Sequence, residues 1–319
     1  MGVSLQELEA RYAGAVSADA VRIIAAKHVP DALLKLGLIR PEDRLVLFAD
    51  DFQTAFTERF PRESLFFVPD PTVEAFSSAS STLTGEGRTF WFINAIGGHG
   101  LRVPDLRALA AAAHAAGALL IVDNTVPSLF GCRPLALGAD LCFEALDRVA
   151  AGELSQKTVA VAWLKDPLVR DRIPQGVLDI PDLIALERGM DSLPARMQRH
   201  FDHARAIAEY LSCCDVIPDV SYPGLATHPD HATAANTLLH GYGPAIDFEL
   251  PAHVTAEAFI ERCRLNGRGC PAGGPHTRLS ARDGDDARFI RLFAGLDDPL
   301  AIADDLDQAL RWFCNPPEP

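Results

Sequence analysis

The chain has 319 residues, of which 48% are hydrophobic and 23% are charged, and its net charge is −14 at pH 7. This length suits one large and one smaller domain, and the negative charge disfavours binding to nucleic acid or to an anionic membrane surface. No run of 18 apolar residues predicts a membrane span, and the N-terminus does not resemble a secretory signal. The cysteines and histidines lack metal-ligand spacing, so we expect a cytoplasmic protein with reduced thiols and no metal site.

The first part of the chain alternates between short apolar runs and helix-like stretches. Residues 103–116 form the clearest helix, with Pro104 and Asp105 in its first turn and Gly117 just past its end. The alternation predicts an open α/β sheet, mostly parallel and covered by helices on both faces. Six apolar runs are predicted to be its buried parallel strands: residues 45–48, 65–68, 89–93, 118–122, 141–143 and 158–163.

The pattern changes after a long predicted helix over residues 180–211. Strands are then predicted at residues 219–222, 245–250 and 289–294, and helices at residues 256–265 and 299–313. This change predicts a smaller C-terminal α+β domain. We expect a large α/β domain over residues 1–195 and the second domain over residues 196–319.

Several runs, in order, resemble one enzyme family. The run LLIVDNT leads into RPLALGADL, and a long helix ending in MDSLPARMQRHFDHARAIAEYL follows. Then come VSYPGLATHPDH, GYGPAIDFEL and FIRLFAGLDDPLAIADDLDQAL, where the family has YPGL, HPxH, SFEL and RLSVG. These runs are similar to the cysteine/methionine-metabolism family of pyridoxal-phosphate (PLP) enzymes, which includes cystathionine gamma-synthase and gamma-lyase.

The resemblance implies the fold of the fold type I PLP-dependent transferases, usually in a homodimer or a dimer of dimers. It also implies an ancestral chemistry of transsulfuration or carbon–sulfur bond cleavage. Relative to the family, the N-terminal arm is truncated. We therefore expect this chain to enter the fold near residue 20 and to lack the cross-subunit contact with the cofactor.

The family holds PLP as a Schiff base on a lysine in the run HSxTKY. The corresponding run here is EALDRV, residues 144–149, which places Arg148 at the lysine position. A guanidinium stays protonated and cannot replace the lysine amine as a nucleophile. The family serine and threonine that donate to the cofactor phosphate are Ala145 and Asp147 here. Arg148 and Asp147 either form an internal ion pair or face the solvent.

Other parts of the implied site also differ. The phosphate loop SSGM corresponds to residues 25–28, where Lys27 and His28 either bind a different anion or form a solvated basic pair. The tyrosine that stacks on the cofactor ring is Gln53. The run ETPSNP is NAIGGHG here, so Asn94 at its start becomes a candidate substrate contact.

Two family residues remain. Asp123, in VDNT, matches the aspartate that pairs with the pyridine nitrogen, although an aspartate there can also simply form a turn. Arg291 matches the arginine that binds the substrate α-carboxylate, and it could instead belong to a structural ion pair. The adjacent family serine is Phe293, a side chain large enough to occlude the pocket.

Three functions follow. The concurrent losses favour a catalytically degenerate homologue, a pseudoenzyme that binds no PLP and acts as a regulatory or partner subunit, in a homo-oligomer or with an active paralogue. The second is a small carboxylate- or anion-binding protein, or a non-PLP enzyme, that uses the old cleft. The third is an active PLP-dependent carbon–sulfur lyase or transferase that uses another lysine, and the chain has four: Lys27, Lys35, Lys157 and Lys165.

Overall fold

A computed structural model describes residues 3–26, 29–48, 53–83, 87–164, 176–264, 273–281 and 288–314. A seven-stranded sheet forms the centre of the larger half, in the order β1-β7-β6-β5-β4-β2-β3. Its strands are β1 (Ala20–Ala25), β2 (Arg44–Phe48), β3 (Leu65–Val68), β4 (Thr89–Asn94), β5 (Ala118–Asp123), β6 (Leu141–Ala145) and β7 (Thr158–Trp163).

The predicted α/β class with a mostly parallel sheet is confirmed. Strands β2 to β6 are mutually parallel, and every residue of β4 is buried, as expected for a strand with helices on both faces. The prediction that β7 is parallel was wrong, since it pairs antiparallel with both β6 and β1. A parallel return would need a helical crossover, and the segment between β6 and β7 forms turns.

The helices of this half begin earlier than expected. Helix α1 (Leu5–Val16) has a capping box between Ser4 and Glu7, and it buries Leu8, Tyr12 and Val16 against the core. The expectation that the chain enters the fold near residue 20 was therefore wrong. The other helices are α2 (Val29–Lys35), α3 (Gln53–Thr57), α4 (Val73–Ser81), α5 (Leu106–Ala115) and α6 (Ser128–Gly131), with 3-10 turns at Arg62–Ser64 and Pro134–Leu137.

The C-terminal half is built on a four-stranded antiparallel sheet in the order β10-β11-β9-β8. One of its strands, β10, escaped sequence analysis. The strands are β8 (Val220–Ser221), β9 (Ala245–Glu249), β10 (Arg278–Ala281) and β11 (Phe289–Phe293), and they pack with helices α8 (His231–Thr237), α9 (Ala256–Arg262) and α10 (Pro299–Cys314).

One long helix, α7 (Ile180–Ser212), belongs to both halves. Its first part packs Leu186 and Met190 into the core of the large sheet, and its last part packs Ile207 and Leu211 into the core of the small sheet. The proposed boundary at residues 195/196 falls inside this helix. Among the described residues, no helix is long and apolar enough to cross a membrane.

Candidate functional site

The candidate site is the edge of the sheet formed by the carboxyl ends of the central parallel strands, where open α/β sheets bind their ligands, and we call this edge the cleft. Asn94 ends β4 and Asp123 ends β5, and the two residues are paired across these strands. Arg148 follows shortly after β6. The small sheet contributes Phe293 and Arg291, which alternate with Leu292 along β11 and therefore point to the same side.

Asp123 has both carboxylate oxygens near donors of the protein. Its Oδ1 accepts a hydrogen bond of 2.7 Å from the Thr125 backbone N–H, and its Oδ2 lies 3.5 Å from the Asn94 side-chain nitrogen. The first contact is the turn that sequence analysis considered for this residue. Asp123 is only partly buried, so its carboxylate remains at the surface of the cleft.

Arg148, which sequence analysis aligns with the family lysine, lies in the interior of the protein. Its side chain is almost completely buried, at 3% exposure, and Nη1 donates a 2.8 Å hydrogen bond to the Thr125 carbonyl. Neither alternative for this arginine describes the geometry: the side chain is interior, but its hydrogen bond goes to the Thr125 carbonyl and not to Asp147. Burial lowers the pKa of Arg148 to about 10, so the guanidinium stays charged at neutral pH. Gly273 packs directly on this side chain, and a Cβ there would lie 2.2 Å from Arg148 Cγ.

Glu144 is a buried acid that sequence analysis did not single out. It is fully buried, and its Oε2 accepts hydrogen bonds from the Tyr12 hydroxyl (2.5 Å) and the Leu129 backbone N–H (3.0 Å). Its Oε1 has no hydrogen-bond partner among the residues that the structure describes. Burial is the main cause that raises the pKa of Glu144 to about 8. The carboxyl group is therefore mostly protonated at neutral pH.

Arg291 is held by a carboxylate of the same chain. Its Nε and Nη2 donate to Asp247 at 2.7 and 2.8 Å, and Nη2 also donates to the Gly98 carbonyl at 2.7 Å. Asp247 is the cross-strand neighbour of Arg291, and its side chain is 3% exposed. The second alternative for Arg291, a structural ion pair, matches this geometry. The signal was present in the sequence, because IDFEL puts Asp247 where the family run SFEL has serine.

Phe293 lies between the two halves of the molecule. Its ring centroid is 5.2 Å from the Arg148 guanidinium carbon and 5.3 Å from that of Arg278, its cross-strand neighbour. The phenyl ring therefore packs close to both guanidinium groups, and its occlusion of a substrate pocket stays a prediction. Arg278 was missed because β10 was missed.

Helix α7 places two more basic side chains beneath Arg148. Arg196 donates to the carbonyls of Arg148 and Val149 at 2.7 and 2.9 Å. His200 is 1% exposed, and neither of its ring nitrogens has a side-chain hydrogen-bond partner in the described structure. Burial, followed by the charge of Arg196, lowers the pKa of His200 to about 3, so the ring is neutral.

Other candidate residues lie outside the described part of the chain or away from the cleft. Lys27, His28 and Lys165 are not among the described residues, nor is the side chain of Gln53. Lys35 and Lys157 are both exposed. Within the described ranges, no group of three His, Cys, Asp or Glu residues is arranged to hold a metal ion.

Comparison with known proteins finds one family. A family described as Cys/Met metabolism PLP-dependent enzyme matches residues 68–311. A putative cystathionine gamma-lyase of Streptomyces coelicolor is 32% identical over 289 residues, which cover 85% of this chain and 71% of the relative. The crystal structure of an apo methionine gamma-lyase from Micromonospora echinospora aligns with a TM-score of 0.82 and 26% identity, covering 97% of this chain and 87% of that one.

Mammalian relatives are also similar but longer. Cystathionine gamma-lyase of Bos taurus is 30% identical over 259 residues, which cover 74% of this chain. The match covers 63% of the length of that enzyme, and the match to the Sus scrofa enzyme covers 57% of its length.

These matches correct one expectation. We expected no cofactor from the loss of the lysine, but the matched family and its relatives are PLP-dependent enzymes, so PLP is the cofactor that this relationship implies. Arg148 bears on how PLP would be attached and not on whether the family uses it. The fold type I architecture is confirmed by the structural match, and the chain belongs to the Cys/Met metabolism family of PLP-dependent enzymes.

Proposed function

We propose that this chain is a family member that forms no covalent link to PLP at residue 148 and has lost transsulfuration activity at this cleft. It would serve as a non-catalytic subunit of a larger assembly. The observation that carries the proposal is the buried guanidinium of Arg148, the residue that sequence analysis aligns with the family lysine. A guanidinium does not lose its proton at neutral pH, so it cannot attack the PLP aldehyde.

The cleft offers a carboxylate for the pyridine ring of PLP but no lysine amine at residue 148 for a Schiff base. Asp123 presents a partly buried carboxylate at the end of β5, which suits a protonated pyridine nitrogen. PLP, when bound, supplies an electron sink for a carbanion of the substrate. Here Asp123 would orient the ring, and Arg148 would supply positive charge but no amine. The expected attachment is therefore non-covalent.

The substrate side of the cleft supports the same conclusion. An amino-acid substrate needs a cation for its α-carboxylate, and Arg291 already holds the Asp247 carboxylate through two hydrogen bonds. Both side chains are largely buried. A carboxylate ligand would have to displace a buried partner on a neighbouring strand, which is unfavourable. This geometry also disfavours a small carboxylate site built on Arg291.

An active enzyme that uses another lysine finds little support in the described structure. Lys35 ends α2 and Lys157 precedes β7, and both side chains face the solvent. A Schiff base with PLP would need a lysine amine within reach of a cofactor held at Asp123, and neither of these two lysines provides it.

Assembly with a second subunit has separate support. Enzymes of this family are usually oligomers. The start of α7 exposes Ile180 (72%) and Ile184 (36%), which are four residues apart, and Val177, just before the helix, is 82% exposed. Cys132, Cys142, Cys213, Cys214 and Cys263 are free thiols, which fits a cytoplasmic location.

The test places a lysine amine at residue 148. The natural protein, Arg148→Lys and the surface control Arg133→Lys would each be incubated with PLP, reduced with borohydride and analysed by mass spectrometry. We expect a reducible adduct only in Arg148→Lys, located at residue 148. Light scattering of the same samples should give a mass above that of one chain.

Three results would contradict the proposal. A stoichiometric adduct in the natural protein would show that another lysine binds the cofactor, and peptide mapping would identify it. Cystathionine cleavage by the natural protein would refute the loss of activity, and a strictly monomeric chain would refute the subunit role.

A further inference from the structure

We propose that Arg148 and Arg278, together with Phe293 between the two halves of the molecule, form a binding site for a small dianion. The large half contributes Arg148, and the small sheet contributes Arg278 and Phe293. Clefts between domains are common places for small-molecule sites. The site would exist whether or not the chain lacks catalytic activity.

The first argument is the absence of a counterion. The side chain of Arg148 makes its hydrogen bond to a carbonyl, and the guanidinium of Arg278 lies over the Phe293 ring. Neither arginine forms an ion pair within the described ranges. The Nε of Arg278 is buried and has no hydrogen-bond acceptor. Buried cations without a partner are costly, and a bound anion would offset that cost.

The second argument is the position of the two charges. Both guanidinium carbons lie about 5 Å from the same ring centroid, at 5.2 and 5.3 Å. The charge of Arg278 is also among the causes that lower the pKa of Arg148, after burial. The two guanidinium groups therefore share one aromatic neighbour, and their combined charge equals that of one dianion. Guanidinium groups are well suited to phosphate and carboxylate oxygens.

The acidic groups nearby do not neutralise this pair. Asp123 accepts the Thr125 N–H and lies next to the Asn94 amide. Glu144 is mostly protonated at neutral pH because its pKa is raised to about 8. Asp147 acts on Arg148 only through space. Within the described residues, none of these three acids makes a hydrogen-bonded ion pair with Arg148 or Arg278.

Two kinds of ligand share this chemistry: a phosphate monoester, such as the phosphate group of PLP, and a dicarboxylate. The natural protein, in a buffer free of polyvalent anions, would be titrated with inorganic phosphate and, separately, with malonate. Calorimetry and thermal melting would report binding. Neither probe has an aldehyde, so the result is independent of any covalent chemistry. Chloride at matched ionic strength is the salt control.

The variant Arg278→Gln tests the site. Because no side-chain hydrogen bond in the described structure depends on Arg278, this variant should fold. We expect it to weaken dianion binding by at least about tenfold. The control is Arg262→Gln, which removes a guanidinium 3.5 Å from the Trp312 ring on the exposed side of α9. This control should bind as the natural protein does.

Selective binding of phosphate would identify a phosphate monoester as the ligand class, and selective binding of malonate would identify a dicarboxylate. The proposal would be overturned if neither probe stabilises the protein beyond chloride. It would also be overturned if Arg278→Gln binds as tightly as the natural protein.

Discussion

The buried carboxyl group of Glu144 should make the stability of this protein fall as the pH rises through neutrality. The folded pKa is raised to about 8 from an ordinary value of 4.5. Below pH 4.5 the group is protonated in both the folded and the unfolded chain. Between these values, only the folded chain keeps the proton. The free energy of unfolding should therefore decrease by about 1.4 kcal/mol per pH unit over this window.

The variant Glu144→Gln isolates this effect, because it keeps an acceptor for Tyr12 and Leu129 and cannot ionise. From pH 5 to pH 7 we expect the natural protein to lose about 2–3 kcal/mol relative to the variant. His200 acts in the opposite direction, since its lowered pKa makes the fold less stable as the pH falls below 6.5. Comparing the two proteins cancels that contribution.

Urea unfolding at half-unit steps from pH 5 to pH 8.5 would measure the difference. The exposed residue Glu153, in the segment after β6, provides the control Glu153→Gln. Parallel pH profiles for the natural protein and Glu144→Gln would refute the reasoning, since they would mean that Glu144 titrates normally in the fold.

Two further predictions concern packing and the substrate side of the cleft. Asp247→Asn should lower the free energy of unfolding by about 3 kcal/mol, because it leaves the buried charge of Arg291 without its anion; an unchanged urea midpoint would contradict this. Gly189→Ala should destabilise the protein by about 1–3 kcal/mol, because the new Cβ would lie 2.0 Å from the Val149 carbonyl oxygen. Gly14→Ala should stabilise α1 by about 0.5–1 kcal/mol, because the new Cβ meets nothing within 4 Å. Thermal melts of the two alanine variants should move in opposite directions.

Sequence reasoning located the strands that are buried on both faces. Strands β4 and β5 are continuous apolar runs between turn signals, so their position follows from composition alone. Strand β1 escaped because it contains Arg22, whose charge is compensated by Glu9 from the preceding helix. Strand β10 escaped for a similar reason, since its four residues include Arg278.

The site was predictable in identity but not in contacts. Counting from the LGAD run assigned Arg148 to the family's lysine position. The chemical consequence could be stated at once, because a guanidinium stays protonated in any surroundings. The hydrogen-bond acceptor of Arg148 could not be predicted in this way, since the choice between Asp147 and Thr125 depends on the direction of the side chain. The hydrogen bond between Tyr12 and Glu144 joins residues 132 positions apart. No local pattern connects such a pair.

The shared helix α7 has a consequence for how the molecule unfolds. A helix gains most of its stability from the surfaces it packs against, and α7 lies against the large-sheet core through Met190 and the small-sheet core through Ile207. If either core unfolds, one part of α7 loses its packing contacts, and the helical structure of the other part becomes less stable. The two halves are therefore thermodynamically linked, and the chain should lose its structure in one cooperative step rather than in two separate ones.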